Sequence, residues 1–171
     1  MSRLTEVVQD TPAATLGLVA LCTSCYLLQM FTGFSLAHFT FCPQLVLYSN
    51  QYYRVVTSPF LHANLMHIGM NMLSTLAIGT RLERRMGTVQ LLWIVTVSVF
   101  ITALLHTSIA VLLASRMFQW SGELSGHSLG FSGILFHLSV LECRFDEQQE
   151  QRSRRVFGIL SVPTYTYPWV L

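Results

Sequence analysis

Charge is absent from five long stretches of this chain. No Asp, Glu, Lys or Arg occurs over 11–53, 55–80, 86–115, 124–141 or 156–171. About 20 such residues are enough for a membrane-spanning helix, so the spacing of charge bounds the fold before any motif is read. A soluble domain carries roughly a quarter charged residues; this chain has 11%, with 52% hydrophobic and a mean hydropathy of +0.51. Those values exclude a soluble globule, a disordered tail and a nucleic-acid-binding chain. They leave an all-α, polytopic helical membrane protein.

The first gap holds one span near 13–36, followed by a polar-aromatic connection with Pro43, Asn50 and Gln51 as its exit. No strongly basic start or small-residue cleavage site marks the span as a signal peptide, so it reads as an uncleaved helix. In the second gap Pro59 is a breaker, which puts the helix start near Leu61 and its end before Arg81. The third gap is an unbroken apolar run and the clearest span. In the fourth, Gly126 and Gly130 delay the helix, leaving about 20 Å at 1.5 Å per residue, short for a bilayer core of roughly 30 Å. The fifth gap begins another span that the chain does not finish. The expectation is four complete spans plus part of a fifth, in one membrane domain over 1–171 that is C-terminally incomplete.

All ten basic residues are arginines. Alternating the connections across the bilayer collects Arg3, Arg81, Arg84, Arg85, Arg144, Arg152, Arg154 and Arg155 on one side, against Arg54 and Arg116 on the other. Cytoplasmic loops are enriched in Lys and Arg, so the N-terminus is expected in the cytoplasm. The charged segment 144–155 reads as a solvated cytoplasmic loop with some attraction to anionic lipid.

Polar side chains inside spans are costly and mark function by default. His67 and Asn71 are i, i+4 neighbours on one helix face, with His62 at the helix entrance. A second group surrounds Ser132, flanked by Gly130 and Gly133. Both groups fall at the non-cytoplasmic ends of their helices. Glycines permit a tight turn, and a serine beside a helix N-terminus has unpaired backbone N–H groups that can stabilise an oxyanion. The imidazole of His67 and the amide of Asn71 are further donors. A helix that starts below the surface also needs water above it, which hydrolysis requires. Read alone, glycines spaced as Gly126, Gly130 and Gly133 more often mean close helix packing, and a serine in a membrane helix usually bonds its own backbone. His106, His127 and His137 read as satisfied interior or interfacial histidines, and His38 carries no signal. Cys22 and Cys25 sit in an apolar helix and suggest no redox or metal chemistry; the histidine spacing suggests no metal site.

His62-x4-His67-x3-Asn71, Gly130-Phe131-Ser132-Gly133, Tyr53-Arg54 ahead of Val55-Val56-Thr57, and Glu83-Arg84-Arg85-Met86-Gly87 together resemble the rhomboid family of intramembrane serine proteases. Tyr53 stands where that family has tryptophan. The phenylalanine before Ser132, Val162-Pro163 and Tyr167-Pro168-Trp169 look most like the endoplasmic reticulum type of eukaryotic rhomboid. The resemblance implies a serine endopeptidase that cleaves transmembrane segments of membrane proteins. Ser132 would be the nucleophile, and His67, Asn71 and the Ser132 backbone N–H the oxyanion hole. Arg54 and Glu83 would hold loops and, together with His62, Gly130 and Gly133, would be structural residues near the site. It implies no cofactor, no metal and no nucleic acid, and as partners the lipid bilayer and membrane-protein substrates. The expected location is a multi-pass position in an endoplasmic reticulum or Golgi membrane.

A serine needs a base, which rhomboids carry as a histidine on a sixth helix; the chain is expected to be truncated before it. His137 lies five residues beyond Ser132, roughly 140° around the helix, and points away; His127 is little better. Two alternatives stay open. One is a rhomboid-like pseudoprotease that binds and sorts membrane proteins without cleaving them. The other is a piece of a transporter or structural membrane protein.

Overall fold

The computed structural model describes residues 9–115, 120, 122–148, 153–156 and 160–163. Helix α1 spans Ala13–Thr32 and follows Pro12, which offers its first turn no side-chain cap. The exposed N–H groups of that turn go instead to Glu83: Ala14 and Thr15 each donate a backbone N–H at 2.8 Å, and the Thr15 hydroxyl donates at 2.7 Å. Gly33 ends the helix with φ 63° and an N–H on the Gln29 carbonyl. The span therefore stops four residues before the expected Leu36, because a left-handed glycine closes a helix without strain.

The connection after α1 is folded rather than loose. A 3-10 turn over Leu36–His38 leads to α2 at Pro43–Tyr48, where Pro43 starts a helix instead of marking an exit. Asn50, with φ 55°, turns the chain into α3 at Tyr53–Thr57 and a 3-10 turn at Ser58–Phe60. Helix α4 then runs Leu65–Ser74. It starts at Leu65 and not near Leu61 because Asn64 is the cap: its side chain accepts the His67 N–H at 2.8 Å. A π-helical turn at Thr75–Gly79 carries α4 directly into α5, Thr80–Met86. Gly79 lies against α1 so closely that a Cβ there would meet the Thr15 hydroxyl oxygen at 2.9 Å.

Gly87 (φ 90°) ends α5 and α6 runs Thr88–Ala114. After the short α7, Gly122–Ser125, helix α8 spans Ser132–Gln148. Its start agrees with the glycine argument. Its end does not: it continues past Leu141, through Glu142 and Asp146, to about 25 Å of helix. Those two carboxylates are buried against Arg81 and Arg85, so the first part of 144–155 is helix with a paired charge and not a solvated loop. Beyond it, β1 (Ser153–Val156) and β2 (Leu160–Pro163) pair antiparallel, Ser153 opposite Pro163. The fifth span expected from 156 onward is thus extended over its described part. Pro163 helps explain this, since a residue before proline, here Val162, is pushed to extended backbone. The rest of that span, and Arg3, Arg116 and Arg152, lie outside the described residues.

The core between helices is apolar: Leu18 and Cys22 of α1, Ile68 and Met72 of α4, Leu82 of α5, Leu91, Val95 and Val99 of α6, and Ile134 and Leu138 of α8. The outer surface is apolar too. Helices α1 and α6 are long and apolar enough to cross a membrane, yet only 22% and 17% of their most apolar windows are buried. Phe31 and Val89 are 85% and 83% exposed. A helix that is hydrophobic all round is either buried or in lipid; these are not buried by protein. The fold is that of a helical membrane protein.

The start of α1, the end of α5 and the end of α8 meet at one end of the bundle, through Glu83, Arg84 on the Asp10 carbonyl, and the Arg85–Asp146 pair. Burial pushes the Glu83 carboxyl up, but the donors from Ala14, Thr15 and Thr88 outweigh it and hold it below its usual value. A carboxyl depressed in the folded state adds stability that is complete above its unfolded pKa, about 4.3, and is lost as pH falls through the folded value. Glu83→Ala is expected to cost about 3 kcal/mol, because two backbone N–H groups and two hydroxyls lose their acceptor. Thermal unfolding in detergent across pH 3–7 checks this: the acid-side loss of stability should shrink in the variant.

Candidate active site

At the other end of the bundle, the turn before α8 is tethered on several sides. Ser128 exchanges both backbone hydrogen bonds with Phe41, each 2.9 Å, and the Gly130 N–H donates to the Ser58 carbonyl at 3.0 Å. Phe131 is fully buried, its ring 6.2 Å from that of Phe60. Gly130 has φ 110°, a conformation that side chains rarely adopt. The first bond of α8 runs from the Leu135 N–H to the Phe131 carbonyl. The N–H groups of Ser132, Gly133 and Ile134 therefore have no partner within the helix. Ser132 itself is exposed.

His67 comes to this turn from α4. A Cβ on Gly130 would lie 2.7 Å from both Cε1 and Nε2 of the His67 ring, so the absence of a side chain at 130 is what lets the imidazole reach the backbone that carries Ser132. Gly133 plays the matching part against α6, where a Cβ would meet the Thr102 methyl at 2.8 Å. Asn71 is buried one turn below His67 and donates through Nδ2 to the His67 carbonyl at 2.8 Å. An amide nitrogen has two hydrogens, so one remains. His62 is fully buried in the loop before α4, edge-on to His67 with ring centroids 5.1 Å apart. Beside the turn is a cavity of about 50 Å³ lined by Phe41, Pro59, Thr102, His106, Ser128 and Gly130. At roughly 10–15 Å³ per water it has room for several.

Arg54 is 3% exposed and organises the connection above the site. Its Nη1 donates to the carbonyls of Ala37 and Thr40, each at 2.7 Å, and its Nε to Gln51. Glu83, by contrast, is at the far end of the bundle, among the first turns of α1 and α6. Of the other histidines, His127 bonds Thr40 and His137 bonds Ser98 of α6, each at 2.7 Å, while His106 bonds Ser128 at 3.2 Å beside the cavity; His38 lies in the connection, where its backbone carbonyl accepts from Tyr53. Asn64 escaped the sequence reading, although an Asn ahead of an apolar run is a helix-start signal. The Ser58 carbonyl, an acceptor from the backbone, has no sequence signal at all.

Comparison with known proteins identifies the family. The Rhomboid domain matches residues 49–171. The chain belongs to the rhomboid family. It is 35% identical over 162 residues to Rhomboid-like protein 15 of Arabidopsis thaliana, which covers 94% of this chain and 40% of that protein. To Rhomboid protease GlpG of Serratia proteamaculans (strain 568) it is 34% identical, over 72% of this chain and 40% of the relative. To Rhomboid-like protease 3 of Toxoplasma gondii it is 33% identical, over 67% and 42%. The chain thus spans less than half the length of these curated relatives, and like other rhomboids it is an integral membrane protein.

Gly130→Ala in this rhomboid should cost about 1–3 kcal/mol from the left-handed backbone alone, with the His67 ring displaced besides. Gly17→Ala, mid-helix and with nothing within 4 Å, should stabilise by about 0.5–1 kcal/mol. Unfolding of the two variants in the same detergent gives opposite signs if the turn is built as described.

Proposed function

We propose that this chain carries the nucleophile and oxyanion site of an intramembrane serine endopeptidase that cleaves transmembrane segments of membrane proteins. The observation that carries this reading is the His67 ring lying directly on Gly130, two residues before an exposed Ser132. In this reading the Ser132 hydroxyl attacks a peptide carbonyl. The oxyanion that forms is met by the Ser132 N–H, the His67 imidazole and the free N–H of Asn71, donors fixed before the reaction starts. Arg54 holds the connection over the site. Glu83 holds the helices at the opposite end, and His62, Gly130 and Gly133 allow the close approach. Collapse of the adduct breaks the peptide C–N bond and the amine leaves with the proton taken from Ser132; water from the cavity beside the turn then hydrolyses the Ser132 acyl ester and restores the hydroxyl.

The proton of Ser132 needs an acceptor. The resemblance assigns it to a histidine on a sixth helix, consistent with His106, His127 and His137 each being hydrogen-bonded to another side chain. The same observation favours a second reading, a rhomboid that binds and sorts membrane proteins without cleaving them. The eight-to-two division of arginines supports a cytoplasmic N-terminus and a site open to the opposite side. The Gly-Phe-Ser-Gly motif supports an endoplasmic reticulum or Golgi membrane.

Reaction with a fluorophosphonate probe in membranes separates the readings. The protease reading expects labelling that disappears in Ser132→Ala and falls about 100–1,000-fold in rate in His67→Ala, the scale of losing an oxyanion donor. Labelling that persists in Ser132→Ala, or none in a chain that includes the sixth helix, leaves the sorting function.

A further inference from the structure

Glu142 and Asp146 are fully buried, and each meets an arginine of α5. Arg81 reaches the Glu142 carboxylate twice, Nε to Oε1 and Nη2 to Oε2, the latter at 3.2 Å. Arg85 Nη1 donates to Asp146 Oδ1 at 2.8 Å. The two arginines are one helical turn apart, as are the two carboxylates, and both rungs join residues 61 apart in sequence. Helices α5 and α8 therefore run parallel, joined by a two-rung ladder. Sliding α8 by one residue moves it about 1.5 Å and turns it about 100°, which breaks both rungs. Sliding by a full turn leaves a carboxylate buried without its arginine, which is strongly unfavourable.

These helices carry the site at their other ends, with His67 in the α4 segment continuous with α5 and Ser132 opening α8. Among the described residues, the other links to α8 are of a different kind: the His67 ring of α4 rests on Gly130 at the turn, a contact with no charge and no hydrogen bond in it. The tethers of the turn run to Ser58 and Phe41 in the connection, and Gly133 packs on Thr102 of α6. Ile68, Met72, Leu135 and Leu138 fill the space between, and apolar contact has no direction. We propose that Arg81, Arg85, Glu142 and Asp146 are positioning residues, whose ladder at the far end sets the height and rotation at which Ser132 faces His67. The catalytic consequence rests on the protease reading above; the register does not.

The test measures both. Spin labels introduced as unnatural amino acids at the exposed Met66 and Phe136 report the distance between α4 and α8 with the chain in lipid nanodiscs. Asp146→Asn and Arg85→Gln are expected to move that distance by roughly 1.5 Å or more, one helical rise. Fluorophosphonate labelling of Ser132 should slow about 100-fold, the cost of a misplacement near 1 Å. The charge-swapped pair Arg85→Asp with Asp146→Arg should restore both. Folded single variants with the parental distance overturn the proposal, as does a folded swap that keeps the shifted distance. If the single variants do not fold, a swap that folds at the parental distance supports it, and a swap that also fails overturns it. Labelling is read in a chain that includes the sixth helix; its absence from that parent counts against the protease reading alone, since the distance does not depend on it.

Discussion

A carboxylate taken out of water must be surrounded by donors, and Glu83 of α5 meets that demand by binding two other helices at once. Two backbone N–H groups and a hydroxyl come from the first turn of α1, and a further hydroxyl comes from Thr88 at the start of α6. The same contacts satisfy the N–H groups that Pro12 leaves uncapped. Neither partner has water to fall back on, so the arrangement is specific in a way that apolar packing is not. The positions of α1 and α6 relative to α5 follow from it.

That specificity matters because the hydrophobic effect gives little direction here. The outer faces of α1 and α6 are as apolar as the core, and lipid is as good a solvent for them as protein is. What selects one packing are close approaches at small residues and polar contacts at the helix ends. Gly79 on Thr15 and Gly133 on Thr102 are of the first kind; Glu83, Arg54 and the Arg81–Glu142 and Arg85–Asp146 pairs are of the second. The bundle is held by polar groups at both ends. At one end they are saturated with partners. At the other, around Ser132, donors have been left over.

The candidate site was legible where its residues are brought together by local spacing. His67 and Asn71 share a face because they are four apart on a helix, and Ser132 follows the glycine that delays α8; both statements need only the chain itself. The ends of elements were less legible. Gly33 stops α1 before Leu36, and Asn64 moves the start of α4 from Leu61 to Leu65. Each is a one-residue capping effect that a count of apolar residues passes over. The pairing of Glu142 and Asp146 could not be read at all. A charged run looks the same whether water or an arginine 61 residues away satisfies it.

The sequence by itself determined that this chain lies in a membrane, roughly where its first four helical segments fall and which residues could carry chemistry, because those depend on charge-free length, helical spacing and turn-forming glycines. Only the tertiary structure decided that the His67 ring rests on Gly130 and that the ends of α5 and α8 are locked by two ion pairs. Both join parts of the chain more than sixty residues apart. Contacts between distant segments depend on how helices rotate and slide against each other, and no local pattern encodes that.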